Sequence, residues 1–141
     1  MTIPDYGADV ERVGGWIAAG ANLVAGKTLF LEPELPKAPD TIATLFETGG
    51  VWNIERSQMV WRLLLVTRAP LLRDARALAV LALQSAVSGW MRSATAARGN
   101  IRNLKIAGLP NLQPRDGNNR VIQEAVLEMT IHAPFETGVD L

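Results

Sequence analysis

The stretch from Ile101 to His132 constrains the fold more than any other: I-R-N-L-K-I-A-G-L, then P-N-L-Q-P-R-D-G-N-N-R, then V-I-Q-E-A-V-L-E-M-T-I-H. Asp116-Gly117 followed by Asn118-Asn119 sets residues that tolerate positive φ between two apolar runs, which is the pattern of a β-hairpin. The first strand is expected to end near Leu109, with Pro110 to Arg120 as the connection. In the second strand, Val121, Gln123, Ala125, Leu127, Met129 and Ile131 share one face, and Ile122, Glu124, Val126, Glu128, Thr130 and His132 share the other. The first face reads as core and the second as a surface for contact.

The rest of the chain supplies what this hairpin packs against. Ile3-Pro4-Asp5 can start a helix, in which Val10, Val13, Trp16, Ile17 and Leu23 fall at helical spacing. Gly14-Gly15 weakens that helix by about 1 kcal/mol per glycine relative to alanine, and Gly20 and Gly26 suggest its end. Thr28 to Glu32 reads as a short strand closed by Pro33 and Pro36, and P-E-L-P-K-A-P-D as a loop stiffened by prolines. Thr41 to Thr48 is β-rich and is expected to close at Gly49-Gly50, with Val51 to Ser57 as a polar loop carrying Trp52. Met59 to Arg68 is apolar on both faces, as a central strand is. Leu71 to Met91 is the clearest helix. One of its stripes runs Leu71, Ala75, Leu78, Ala82, Ser85, Gly89, and a second runs Leu72, Val80, Leu83, Val87, Trp90. A helix so apolar around its circumference packs on more than one side.

The order helix, strand, strand, strand, helix, strand, strand predicts a single α+β domain over residues 1–141. Its mostly antiparallel or mixed sheet of about four to five strands carries two main helices on one face. Residues 133–141 read as a loose C-terminal tail. A chain of 141 residues is long enough to bury a core without cross-links, and it holds no Cys. Disulfides, thiolate zinc sites and cysteine nucleophiles are thereby excluded. Fourteen basic residues balance 14 acidic ones, so there is no global field for nucleic acid or anionic lipid. The first residues carry no basic segment followed by an apolar core, and no apolar run reaches the roughly 18–20 residues of a bilayer span. The expectation is a soluble protein, cytosolic where it is made, with no membrane partner and no sequence-specific nucleic acid.

Each motif that suggests chemistry has a plainer reading. Ala21 to Thr28, A-N-L-V-A-G-K-T, fits a relaxed phosphate-binding loop, but a helix precedes it and a strand follows, the reverse of the required context. It is expected to be a helix-to-strand loop. His132 is the single histidine, at a strand end with no second ligand at metal spacing. Asp5, Asp9 and Glu11 read as helix-start charges rather than a metal cluster. Glu124 and Glu128 share a strand face about 13 Å apart, too far for a glycosidase pair. Trp16, Trp61 and Trp90 lie on apolar segments and read as core. Trp52 sits among Asn53, Glu55 and Arg56 as an interface anchor would. No enzyme activity, metal or cofactor is expected. The candidate contact residues are instead Trp52, Arg62, Arg68, Glu124 and Glu128 on strands and loops, the helix residues Leu72, Val80, Leu83 and Val87, and Arg115, Asp116 and Arg120 at the hairpin turn.

Several features recur together in a known group. They are the N-terminal helix, the L-F-L strand at Leu29-Phe30-Leu31, the proline turn at Leu35-Pro36, and the strand Thr41 to Thr48 with its Gly49-Gly50 exit. The strand Trp61 to Thr67, the A-R-A-L-A helix at Ala75 to Ala79, and the polar turn Arg115 to Arg120 before a long final strand complete the set. Over about residues 10–133 the chain resembles the tail-terminator proteins of long-tailed bacteriophages, also called tail-completion or minor capsid proteins. The resemblance implies an α+β fold assembling as a ring, usually a hexamer, on the head-proximal end of the tail tube. There it stops tube polymerisation and offers a surface for head-tail joining. The implied partners are copies of itself, the tail tube protein and a neck or head connector protein, and the implied location is the virion tail or neck after assembly in the host cytoplasm. A ring of identical subunits needs two different complementary patches per subunit. The helix stripe and the face of Arg62, Arg68, Glu124 and Glu128 are the patches the sequence suggests. The alternatives are a neck or head-completion connector and, in a different class, a small ligand-sensing regulatory domain.

Overall fold

The computed structural model describes residues 6–133, with the side chain of Tyr6 excepted. Helix α1 spans Tyr6–Ala21, strand β1 Leu29–Phe30, β2 Ile42–Asn53, β3 Gln58–Ala69, helix α2 Leu72–Arg92, β4 Ile101–Gln113 and β5 Val121–His132, with a 3-10 turn at Thr95–Arg98. The strands form one five-stranded sheet in the order β1-β2-β3-β5-β4. Only the β1–β2 pair is parallel; the others are antiparallel, so the fold is α+β with a mixed sheet. The expected helix start at Ile3-Pro4-Asp5 and the tail 134–141 lie outside the described residues.

Period-2 alternation sets the two sheet faces. Val121, Gln123, Ala125, Leu127, Met129 and Ile131 are all buried, as their spacing predicts. They join Leu63 and Leu65 of β3, Ala43 and Leu45 of β2, and Ile101 and Leu104 of β4. From the helices come Val10, Val13, Ile17 and Ala21 of α1 and Ala82, Leu83 and Ala86 of α2. Helix α2 lies over β3, β4 and β5, and α1 packs on α2 and β2. Both helices therefore cover the same sheet face. The two helices touch closely: a Cβ on Gly89 would lie 2.4 Å from Trp16 Cβ, and one on Gly20 would lie 2.3 Å from Ser85 Oγ. Gly20 thus serves packing inside the last turn of α1 rather than ending the helix.

Three boundaries differ from the sequence expectation, each for a physical reason. Strand β2 continues through Gly49-Gly50 to Asn53, because a bulge between Glu47 and Gly49 shifts its register while pairing with β3 goes on. The connection to β3 shrinks to a turn with Ser57 at φ 54°. Strand β4 runs past Leu109 through Pro110 to Gln113, which its place at the sheet edge permits, since a proline there interrupts no central ladder. Ala133, expected in a loose tail, is buried and donates its N–H to Ser57 O at 2.8 Å.

Candidate interaction surface

The sheet face turned away from the helices carries the even-numbered residues of β3 and β5. Register puts Arg62 opposite Glu128, Leu64 opposite Val126, Val66 opposite Glu124 and Arg68 opposite Ile122. Beyond β5, Lys105 of β4 lies opposite Glu128, its Nζ 3.8 Å from Oε1. Arg62, Glu128 and Lys105 thus form a cross-strand row of alternating charge, with Phe46, Leu64 and Val126 as a half-buried apolar row beside it. The face closes toward one end: Val66 is 6% exposed and Ile42 and Thr44 are fully buried.

Arg68 belongs to that closed end and is not part of the open sheet face. It is 2% exposed, donating from Nε to Asp40 O at 3.2 Å and from Nη2 to Pro39 O at 2.7 Å. Burial first, and the nearby Arg120 guanidinium second, lower its pKa from the usual arginine value. Arg120 is likewise buried. Its Nε donates to Asp116 Oδ2 at 2.8 Å, and its Nη1 donates to Lys37 O at 2.6 Å and to Asp40 Oδ1 at 3.3 Å. Two arginines that read as contact residues therefore fasten the proline-rich segment to the end of the sheet. Only the segment's backbone carbonyls reveal this, and a sequence does not show where carbonyls point.

The hairpin turn is ordered by Asp116. Its Oδ1 accepts the N–H groups of Asn118 at 3.0 Å and Arg120 at 2.9 Å, and Asn119 adopts φ 60°. The Arg120 backbone N–H, then the Arg120 side chain and the Asn118 N–H, hold the Asp116 carboxyl below its ordinary range against a smaller opposing effect of burial. Arg115 is exposed, with Nη1 donating to Asn119 O at 2.7 Å.

The helix stripe divides. Leu72 and Val80 are exposed, Val87 is half-buried against the core, and Leu83, 1% exposed, is a core residue. Leu83 points inward because it continues the Ala75, Ala79, Ala82, Ala86 side of α2. Leu81 and Met91, which the stripe omits, are exposed. Trp52 sits in β2 opposite Met59 rather than in a loop; it is 43% exposed and its Nε1 donates to Ala133 O at 3.2 Å. The most exposed large apolar side chains of the sheet lie outside the sequence candidates: Leu109 and Leu112 on β4 at 72% and 63%, and Val51 on β2 at 71%. Leu112 was hidden by assigning Pro110 to Arg120 to the connection, whereas β4 runs on to Gln113.

The remaining sequence candidates fall into structural roles. Of the Ala21 to Thr28 segment, Ala21 ends α1 and the rest is a loop in which Val24 N donates to Thr28 Oγ1 at 2.7 Å, and β1 follows it. Asp9 lies in the first turn of α1 as expected but is fully buried, its Oδ1 accepting from Arg12 Nη1 at 2.9 Å and from Asn100 N at 3.3 Å. It ties the helix to the start of β4. Trp16, Trp61 and Trp90 are half-buried against the core, and Trp90 carries the Arg98 guanidinium 4.5 Å above its ring. Among the described residues no group of three or more His, Cys, Asp or Glu side chains is placed to hold a metal ion. No family model matches the chain, and no curated protein matches it.

Proposed function

We propose that this chain is a structural, non-enzymatic virion protein of the tail-terminator kind. It forms a ring of identical subunits, a hexamer on the resemblance, that caps the head-proximal end of the tail tube, stops tube growth and presents a surface to a neck or head connector. The observation that carries this reading is that the sheet has two unlike unpaired edges. On one side β4 is the last strand, 13 residues long, with Ile106, Leu109 and Leu112 exposed. On the other, β1 pairs with β2 only at Ala43 and Thr44, so among the described residues β2 from Leu45 to Asn53 has no strand beyond it, and it exposes Val51 and Trp52. An unpaired edge is a template for another chain. Two different edges suit head-to-tail contacts that close into a ring, whereas a two-fold dimer uses one patch twice.

Three details refine the contact. The bulges of β4 and Pro110 break a regular ladder along that edge, so apolar side chains rather than a continuous backbone ladder carry the contact there. The charge row of Arg62, Glu128 and Lys105 sets register between neighbours. The exposed Val80, Leu81 and Met91 of α2 remain for the tube or the connector. Electron microscopy of the purified protein, alone and mixed with tail-tube protein, tests the reading: rings that cap tubes and fix their length support it, and a strict monomer that ignores tubes refutes it. Binding to portal-bearing heads rather than to tubes would assign the chain to the neck instead.

A further inference from the structure

We propose that the cleft between the proline-rich segment and the β4–β5 turn is a binding site for a phosphate-like oxyanion. The cleft has a volume of about 450 Å³ and is lined by Leu35, Lys37, Arg68, Asp116, Gly117 and Arg120, among others. That is room for an oxyanion with a small group attached. Three cationic residues line it against one acidic one, and the carboxylate of Asp40, 68% exposed, lies 3.3 Å from Arg120 Nη1. Arg68 donates to two backbone carbonyls, and the carboxylates of Asp116 and Asp40 act on it only through space, against burial and the neighbouring Arg120 charge. Two guanidiniums thus sit side by side at the wall of a cleft with incomplete neutralisation.

The donors are unspent as well. Arg68 donates through Nε and Nη2, and Arg120 through Nε and Nη1. Among the described residues, Arg68 Nη1 and Arg120 Nη2 have no protein acceptor. The Gly117 N–H likewise has no acceptor among the described residues. An oxyanion held by both guanidiniums and Lys37 Nζ would satisfy these groups, relieve the repulsion between Arg68 and Arg120, and tighten the hold of residues 37–40 on the sheet.

The probe is inorganic phosphate, observed by phosphorus NMR line width and by thermal unfolding, with chloride at matched ionic strength as the reference. Wild-type protein is expected to broaden the phosphate signal saturably and to gain Tm over the chloride reference. Lys37→Ala removes one donor while leaving the Lys37 carbonyl that Arg120 uses, so the fold is retained and phosphate affinity drops about tenfold, the effect of one charge-assisted hydrogen bond of about 1.4 kcal/mol. Arg76→Ala, on an exposed position of α2, controls for general stabilisation by phosphate and is expected to behave as wild type. No broadening by wild-type protein, or equal phosphate responses in wild type, Lys37→Ala and Arg76→Ala, would overturn the site and leave the arginines as fasteners of the loop alone. Ring formation is measured separately and does not bear on this outcome.

Discussion

Gly89→Ala tests the helix pair on which the sheet rests. The added Cβ would lie 2.4 Å from both Cβ and Cγ of Trp16 and 2.8 Å from its Cδ1. Ordinary carbon contacts begin near 3.5 Å, so α1 and α2 must separate by about 1 Å or Trp16 must leave its rotamer. Trp16 Cβ sits next to its own backbone, which rules out a cheap side-chain swing. Overpacking of this kind costs about 1–3 kcal/mol, while alanine's better helix propensity returns up to about 1 kcal/mol. The steric effect wins, and a net loss of about 1–2 kcal/mol is expected, seen in urea unfolding or as a fall in Tm of roughly 3–8 °C. Gly15→Ala is the counterpart: a Cβ there meets nothing within 4 Å, so the same substitution in α1 is expected to stabilise by up to about 1 kcal/mol. A Gly89→Ala protein as stable as its parent, or a Gly15→Ala protein destabilised to the same degree, would refute the reasoning.

Asp116 gives a prediction in pH. Its folded-state pKa is lowered, so its contribution to stability is fully present above the unfolded aspartate value, about 3.9, and is lost as pH falls through the lower folded value. The difference in unfolding free energy between wild type and Asp116→Asn is therefore expected to be constant from pH 5 to 7 and to shrink below about pH 4; a difference that grows on acidification would contradict the hydrogen-bonding scheme at the turn. Arg62→Glu places a second carboxylate opposite Glu128 on an exposed row, where like-charge pairs cost under about 1 kcal/mol, so the subunit stays folded while ring formation weakens most at low salt. Normal assembly of that variant at both low and high salt would remove the open sheet face from the subunit contact.

How much was legible follows from which forces act locally. The Val121 to Ile131 alternation named its buried face without error because a strand with one face covered must alternate. The central place of β3 was readable in M-V-W-R-L-L-L-V-T-R because only a strand flanked on both sides is that apolar. The register shift at Glu47–Gly49 and the passage of β4 through Pro110 were not readable, since pairing with a neighbour decides where a strand ends and a single segment does not contain its neighbour. Arg68 and Arg120 were misread for a related reason. A charged residue on a strand face looks solvent-facing until a distant loop, here residues 37–40, brings carbonyls over it. Leu83 shows the limit for helices: the stripe follows helical spacing, but α1 and strands β3, β4 and β5, packed on α2, decide which part of it is covered. The surface proposed for contact therefore lies toward the edges of the sheet, at the exposed Leu109, Leu112, Val51 and Trp52, rather than at Arg68, Arg120 and Leu83.

The most direct measurement of the proposed role is electron microscopy of the purified protein added to growing tail-tube protein. The account predicts closed rings of the protein alone and, in the mixture, rings seated at one end of tubes whose length no longer increases. Tubes that lengthen as they do without it, beside a protein that remains a monomer, would contradict it.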